Sequence, residues 1–152
     1  MNIVIRFDQY NAENIFFCDP ITNNIMNDGN FIRILYSTDN MILNGIYLLL
    51  TLSDIICEKY YNKYKCSFNT ITHKDVIENI KNIEEQIIKK YNIKNKTPQY
   101  KIYEQIKNGN IKLFNDIGNK LVGTFILKIA GIWETENNYG LTYKFVKVNN
   151  ET

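Results

Sequence analysis

The chain has 152 residues, 45% apolar and 22% charged, with a formal net charge of +2; that composition fits one domain (1–152) around a hydrophobic core and excludes a disordered chain. Within those classes usage is skewed, with 25 Ile, 23 Asn and 16 Lys against 2 Ala and 2 Pro, beside 11 Tyr and 8 Phe. An A/T-rich coding sequence accounts for such a bias, so a Lys- or Asn-rich stretch needs a second signal before it counts as functional.

The first ten residues carry Arg6 and Asp8 and lack the apolar run of a cleaved signal. The runs Ile3-Val4-Ile5 and Ile15-Phe16-Phe17 are β-prone, each followed by polar turn residues. Phe31 to Ser37 and Met41 to Leu50 flank Thr38-Asp39-Asn40, whose last two residues tolerate the positive φ of a tight hairpin. The segment from Ile46 to Leu52 is apolar on both faces, as in a covered central strand. The apolar stretch from Met41 to Cys57 is broken by Asn44, Gly45, Ser53 and Asp54, short of the ~20 residues of a membrane span, and no membrane partner is expected.

From Asp54 to Phe68 helical and strand periods compete. Read as a strand, Lys59, Tyr61, Lys63 and Lys65 share one face. The spacing of Ile77, Ile80, Ile83, Ile87 and Tyr91 predicts an amphipathic helix over 74–91, with Thr72 as cap and Asp75 in the first turn. A shorter helix is predicted from Pro98 to Lys107, capped by Thr97 and burying Ile102 and Ile106. Two strands, Thr124 to Trp133 and Tyr139 to Val148, form a closing hairpin. Strict alternation sets Phe125, Leu127, Ile129 and Trp133 on one face, and Lys128 with Lys144 on the other. The fold class is therefore α+β: a mainly antiparallel sheet, one long amphipathic helix and a C-terminal β-hairpin, with an OB-like, partly closed barrel as the variant.

Catalytic chemistry is thin. The single histidine, His73, reads as an exposed residue beside the helix cap. Cys18, Cys57 and Cys66 are odd in number and lack the spacing of a zinc or redox motif, so they read as three reduced thiols. No Gly-rich phosphate loop occurs. Glu134 and Glu136 lie two apart, more as solvating charge than as a Mg²⁺ site. A non-enzyme without cofactor or metal is expected.

The binding signals lie elsewhere. Residues 1–72 carry a formal charge of −2 and residues 73–152 carry +4. Between Ile87 and Asn115 stand seven lysines against the single acid Glu104, interleaved with Tyr91, Tyr100, Tyr103 and Phe114. Ammonium groups that displace counterions and rings that stack bases at ~1–3 kcal/mol each are what a single-stranded nucleic acid requires. The candidate binding residues are Lys59, Tyr61, Lys63, Lys65, Lys94, Lys96, Lys101, Tyr103, Lys128 and Lys144.

The segments Phe125-Ile126-Leu127-Lys128-Ile129-Ala130-Gly131-Ile132-Trp133-Glu134-Thr135 and Tyr139-Gly140-Leu141-Thr142-Tyr143-Lys144-Phe145 resemble the C-terminal signature of small proteins of giant nucleocytoplasmic DNA viruses. Tyr47 to Leu52 is similar to their apolar middle strand. The hairpin is also similar to the last strands of the oligonucleotide-binding-barrel, single-stranded DNA-binding proteins of those viruses, although helices interrupt the strands here more than a five-stranded barrel requires. This resemblance implies a non-catalytic single-stranded nucleic-acid binder in the host cytoplasm, the viral factory or the virion. The alternative is a virion structural or assembly protein with viral protein partners.

Overall fold

The computed structural model describes residues 3–23, 29–113 and 123–148. Phe114 and the rest of 114–122 lie outside the described residues. After the 3-10 turns Phe7–Gln9 and Ala12–Asn14 come β1 (Ile15–Phe17), β2 (Ile21–Asn23) and β3 (Gly29–Ser37). In β3 the period-two pattern is explicit, with Ile32, Ile34 and Tyr36 buried and Phe31, Arg33 and Leu35 half-buried. The hairpin predicted at Thr38-Asp39-Asn40 forms: Ser37 pairs with Ile42 of β4 (Ile42–Asn44), and Thr38 N–H donates to the Met41 carbonyl at 2.9 Å. Gly45, at φ +105°, then redirects the chain, so that β5 (Ile46–Thr51) leaves β3 and pairs with β10 (Thr124–Glu134).

The ambiguous stretch 54–68 is a strand hairpin, β6 (Ile56–Tyr60) and β7 (Lys63–Ser67). Helix α1 (Lys74–Tyr91) spans the residues its periodicity predicts and buries Ile80, Ile83, Ile87 and Ile88. Its N-cap is His73, without a side-chain cap bond, and Thr72 does not cap it. There follow β8 (Thr97–Gln99), α2 (Lys101–Ile106), β9 (Asn110–Leu113), β10, and β11 (Asn138–Lys147). The sheet is mostly antiparallel in the order β1-β3-β10-β11-β9-β7-β6; β2 and β4 also pair with β3, β5 with β10 and β8 with β11. Strands β8 and β9 lie parallel to β11. The sheet is open, with β1 and β6 at the two ends of that order. The C-terminal hairpin, β10 with β11, lies at its centre.

Ile32, Ile34, Leu48, Leu50, Ile111, Leu113, Phe125, Leu127, Ile129 and Phe145 from the strands join the α1 isoleucines and Ile102 and Ile106 of α2 in one buried cluster. Both helices therefore cover the same face of the sheet. At roughly 25 cal/mol per Å² of apolar surface removed from water, this cluster is the main stabilising term.

Four expectations are corrected. Pro98 does not open a helix: Thr97–Gln99 runs parallel to β11, with Pro98 opposite Tyr139, and α2 starts at Lys101. An added strand at the margin of the sheet tolerates proline's missing donor. His73 is buried rather than exposed: Nε2 accepts from Ser53 N–H at 2.9 Å and Nδ1 meets the Asn69 carbonyl at 2.8 Å. Cys57 and Cys66 stand opposite each other on β6 and β7 and form a disulfide, leaving Cys18 as the free thiol. Trp133 is not on the face of Leu127: the register slips between Ile129 and Gly131, and one extra residue reverses the parity of everything after it.

Candidate nucleic-acid interface

Directly opposed residues on neighbouring strands share a face, and following the register across the sheet brings distant lysines into line. Lys65 on β7 is opposite Lys112 on β9. Leu113 is paired with Phe145 on β11, and Lys112 and Lys144, each one residue before that pair, line the same concavity. Lys144 is opposite Lys128 on β10, and Lys128 is opposite Tyr47 on β5. Four lysines and a tyrosine thus lie in line across five neighbouring strands, on the face opposite the buried Leu127 and Phe145. At about 4.8 Å per strand the row is roughly 19 Å long.

The row is electrostatically uneven. No ion pair among the described residues engages Lys65, Lys112 or Lys144, and all three are exposed. Lys128 is half-buried, with its ammonium 5.5 Å from the centre of the Tyr47 ring. Glu58, opposite Lys65 on β6, places one acid at the outer end. Like charges directly opposite each other on adjacent strands are destabilising, so the Lys65–Lys112 and Lys144–Lys128 pairs are not explained by stability.

Two concavities adjoin the row and share Lys65 and Lys112. One, of about 580 Å³, is lined also by Lys101, Glu104 and Gln105 of α2 and by Tyr143, Lys144 and Phe145. Its wall is firm: Tyr143 Oη donates to Gln105 Oε1 at 2.6 Å, and burial pushes the phenol up to about 12. The other, of about 540 Å³, lies against the β6–β7 hairpin and is lined also by Glu58, Lys59, Tyr60, Lys63 and Tyr64. Lys101 reaches the first groove only because α2 is docked there. That docking is unusual in its chemistry: the buried Glu84 of α1 accepts from Ile102 N–H (Oε2, 2.9 Å) and Tyr103 N–H (Oε1, 2.9 Å), capping a helix that lacks its own cap.

On the same sheet face, beyond the register slip, lie Phe31, Arg33 and Trp133. Gly131 and Gly140 have no side chains and the rings of Phe31 and Trp133 lie across them; a Cβ on either glycine would come within 2.7 Å and 2.9 Å of those rings. The Arg33 guanidinium sits 6.0 Å from the Phe31 ring centre. This strip is packed onto backbone, as rings over cross-strand glycines are.

Of the predicted residues, Lys65, Lys101, Lys128 and Lys144 come together at the row and its groove, and Lys59 and Lys63 at the neighbouring cleft. The common face expected for Lys59, Tyr61, Lys63 and Lys65 does not form. The chain turns at Tyr61 (φ +55°), and Lys59, opposite Tyr64, lands on the face of Cys57 and Cys66, whereas Lys63 and Lys65 are on the other. Tyr61 is 80% exposed at the hairpin tip. Lys94 is exposed beyond α1. Lys96 is engaged structurally, in an ion pair with Glu134 at 3.2 Å and a bond to the Thr135 carbonyl at 2.8 Å. Tyr103 lies under the Lys81 ammonium at 5.3 Å and lines neither concavity. Glu134, held by Asn30 and Lys96, is kept below the usual carboxylate range by those bonds, despite its partial burial. Lys112 and Tyr47 belong to the row but were not among the candidates; only strand register reveals them. No family model, curated protein or solved structure matches the chain.

Proposed function

We propose that this protein is a non-catalytic binder of single-stranded nucleic acid that holds the phosphate backbone along the Lys65–Lys112–Lys144–Lys128 row. The single observation that supports it is the alignment of these four lysines on adjacent strands, against their mutual repulsion, beside a concavity that adds Lys101. A polyanion threaded over the row relieves that repulsion and releases counterions. The exposed rings of Tyr60 and Tyr61, in edge contact at 4.7 Å between centroids, offer stacking surfaces at one end. Service in the DNA metabolism of a large DNA virus, and relation to the oligonucleotide-binding barrels, belong to the same proposal and rest on the resemblance of the hairpin residues.

Binding of a fluorescent oligothymidylate, followed by anisotropy at two or more salt concentrations, tests it. Four phosphates neutralised on a single strand correspond to a slope of log K against log salt of about −3. Replacing Lys65, Lys112 and Lys144 together with alanine should remove most of that slope without unfolding the domain. Absence of binding at low salt, or affinity indifferent to salt, rejects the reading.

A second reading, a virion or assembly component, draws on the other end of the sheet. Phe16 on β1, Ile21 on β2 and Ile42 on β4 are 56%, 54% and 70% exposed on strands that all pair with β3. Exposed apolar side chains grouped in this way suit a protein partner. A stable complex with another protein, lost on Phe16→Ser with Ile42→Ser while oligonucleotide affinity is absent throughout, selects this reading.

A further inference from the structure

Strand β6 is the last in the sheet order and, among the described residues, pairs only with β7. Four of its five residues are exposed, Ile56 and Tyr60 by 64% and 65%, and Cys57 alone reaches the core. The hydrogen-bonded ladder to β7 and the bond from Cys57 to the fully buried Cys66 are therefore what hold β6 in place. Cys66 directly follows Lys65 of the row, and β6 supplies Glu58, Lys59 and Tyr60 to the cleft that shares Lys65 and Lys112 with the groove.

We propose that the Cys57–Cys66 disulfide is a redox-operated clasp on the binding face: oxidised, it holds the β6–β7 hairpin in register and the cleft intact; reduced, it lets β6 detach and weakens the hold on nucleic acid. The proposal rests on the lysine row being a nucleic-acid interface. The reductant is a dithiol. Its thiolate attacks the half-buried Cys57 sulfur, the electron pair of the S–S bond leaves on Cys66, and Cys66 takes up a proton. The second thiolate of the dithiol attacks the mixed disulfide, releasing Cys57 as a thiol and the reductant as its own disulfide, two electrons having passed to the protein. A loop closed across sequence separation 9 then regains the freedom the cross-link denied it. With no other side chain of β6 in the core, that freedom is spent on the hairpin rather than on the domain.

The experiment compares oxidised protein, the same protein in dithiothreitol, and the Cys57→Ser, Cys66→Ser double variant. Each is titrated into a fluorescent oligothymidylate at fixed low salt and separately exposed to brief trypsin digestion with cut sites read by mass spectrometry. Expected are a loss of affinity of roughly three- to tenfold on reduction, the scale of one or two phosphate contacts, new early cuts at Lys59, Lys63 and Lys65, and a double variant that matches the reduced protein and ignores dithiothreitol. Equal affinity of oxidised and reduced protein overturns the clasp and leaves the nucleic-acid reading standing. So does an unchanged cutting pattern, or a double variant still weakened by dithiothreitol. Failure of the oxidised protein to bind at all overturns both.

Discussion

Lys65 and Lys112 face each other directly across β7 and β9, both exposed and neither in an ion pair among the described residues. Opposed like charges destabilise a sheet pair. Lys112→Thr should therefore raise stability by a few tenths of a kcal/mol and at the same time lower oligonucleotide affinity and flatten the salt slope by about 0.7. Urea denaturation and anisotropy on one preparation check both; a variant that gains stability with affinity unchanged removes Lys112 from the interface.

Glu84 predicts a pH dependence. Burial raises its carboxyl from the ordinary 4.5 to about 7, against the lowering effect of the Tyr103 and Ile102 N–H bonds, with Glu104 and Glu85 adding to the rise. The folded protein thus holds this proton more tightly than the unfolded chain. Its contribution to stability is complete below pH 4.5 and is lost as pH rises through about 7. Glu84→Gln, which cannot ionise, should show a shallower decline in urea midpoint between pH 5 and 7.5 than the parent, measured in one buffer series. Identical slopes would rule out Glu84 as the titrating group.

Gly131 is required for proximity rather than for turn geometry. A Cβ there would stand 2.3 Å from the Ile32 carbonyl oxygen, a backbone atom on a paired strand that cannot swing aside, and 2.7 Å from the Phe31 ring. Gly131→Ala should cost about 1–3 kcal/mol, the scale of overpacking, and show as a lowered thermal midpoint. Ala130→Gly next to it is the control for backbone entropy, and a Gly131→Ala midpoint no lower than that control contradicts the register given for β3 and β10.

His73 ties the start of α1 to the segment after β5. His73→Phe keeps the edge contact with Phe68 (centroids 5.5 Å apart) but leaves Ser53 N–H and the Asn69 carbonyl without the imidazole. A loss of about 1–3 kcal/mol is expected. Hydrogen exchange at the Ser53 amide gives a local readout: it should accelerate in the variant, and an amide as protected as in the parent shows that this bond is dispensable.

Periodicity made α1 and the C-terminal hairpin legible, since both bury one face and the 3.6- and 2-residue rhythms of isoleucine, leucine and phenylalanine report that directly. It failed where one residue changes parity. The slip between Ile129 and Gly131 sends Trp133 to the other face, and the turn at Tyr61 puts Lys59 and Lys63 on opposite faces. It failed again where a signal came from outside the segment: α2 is capped by Glu84 of another helix, so the local capping pair Thr97 and Pro98 pointed to the wrong start.

The amino-acid order alone determined an α+β chain with a long amphipathic helix, a C-terminal hairpin and an excess of lysine after residue 72, because burial patterns and charge are local properties of neighbouring residues. Which lysines stand side by side, and which cysteines bond, was decided only by strand order and register. Lys65 and Lys112, 47 positions apart, become neighbours through backbone hydrogen bonding between β-strands, whereas the pairing of Lys128 with Lys144 was already legible in the hairpin. Those bonds engage backbone groups that every residue shares, and side-chain chemistry does not announce them in advance.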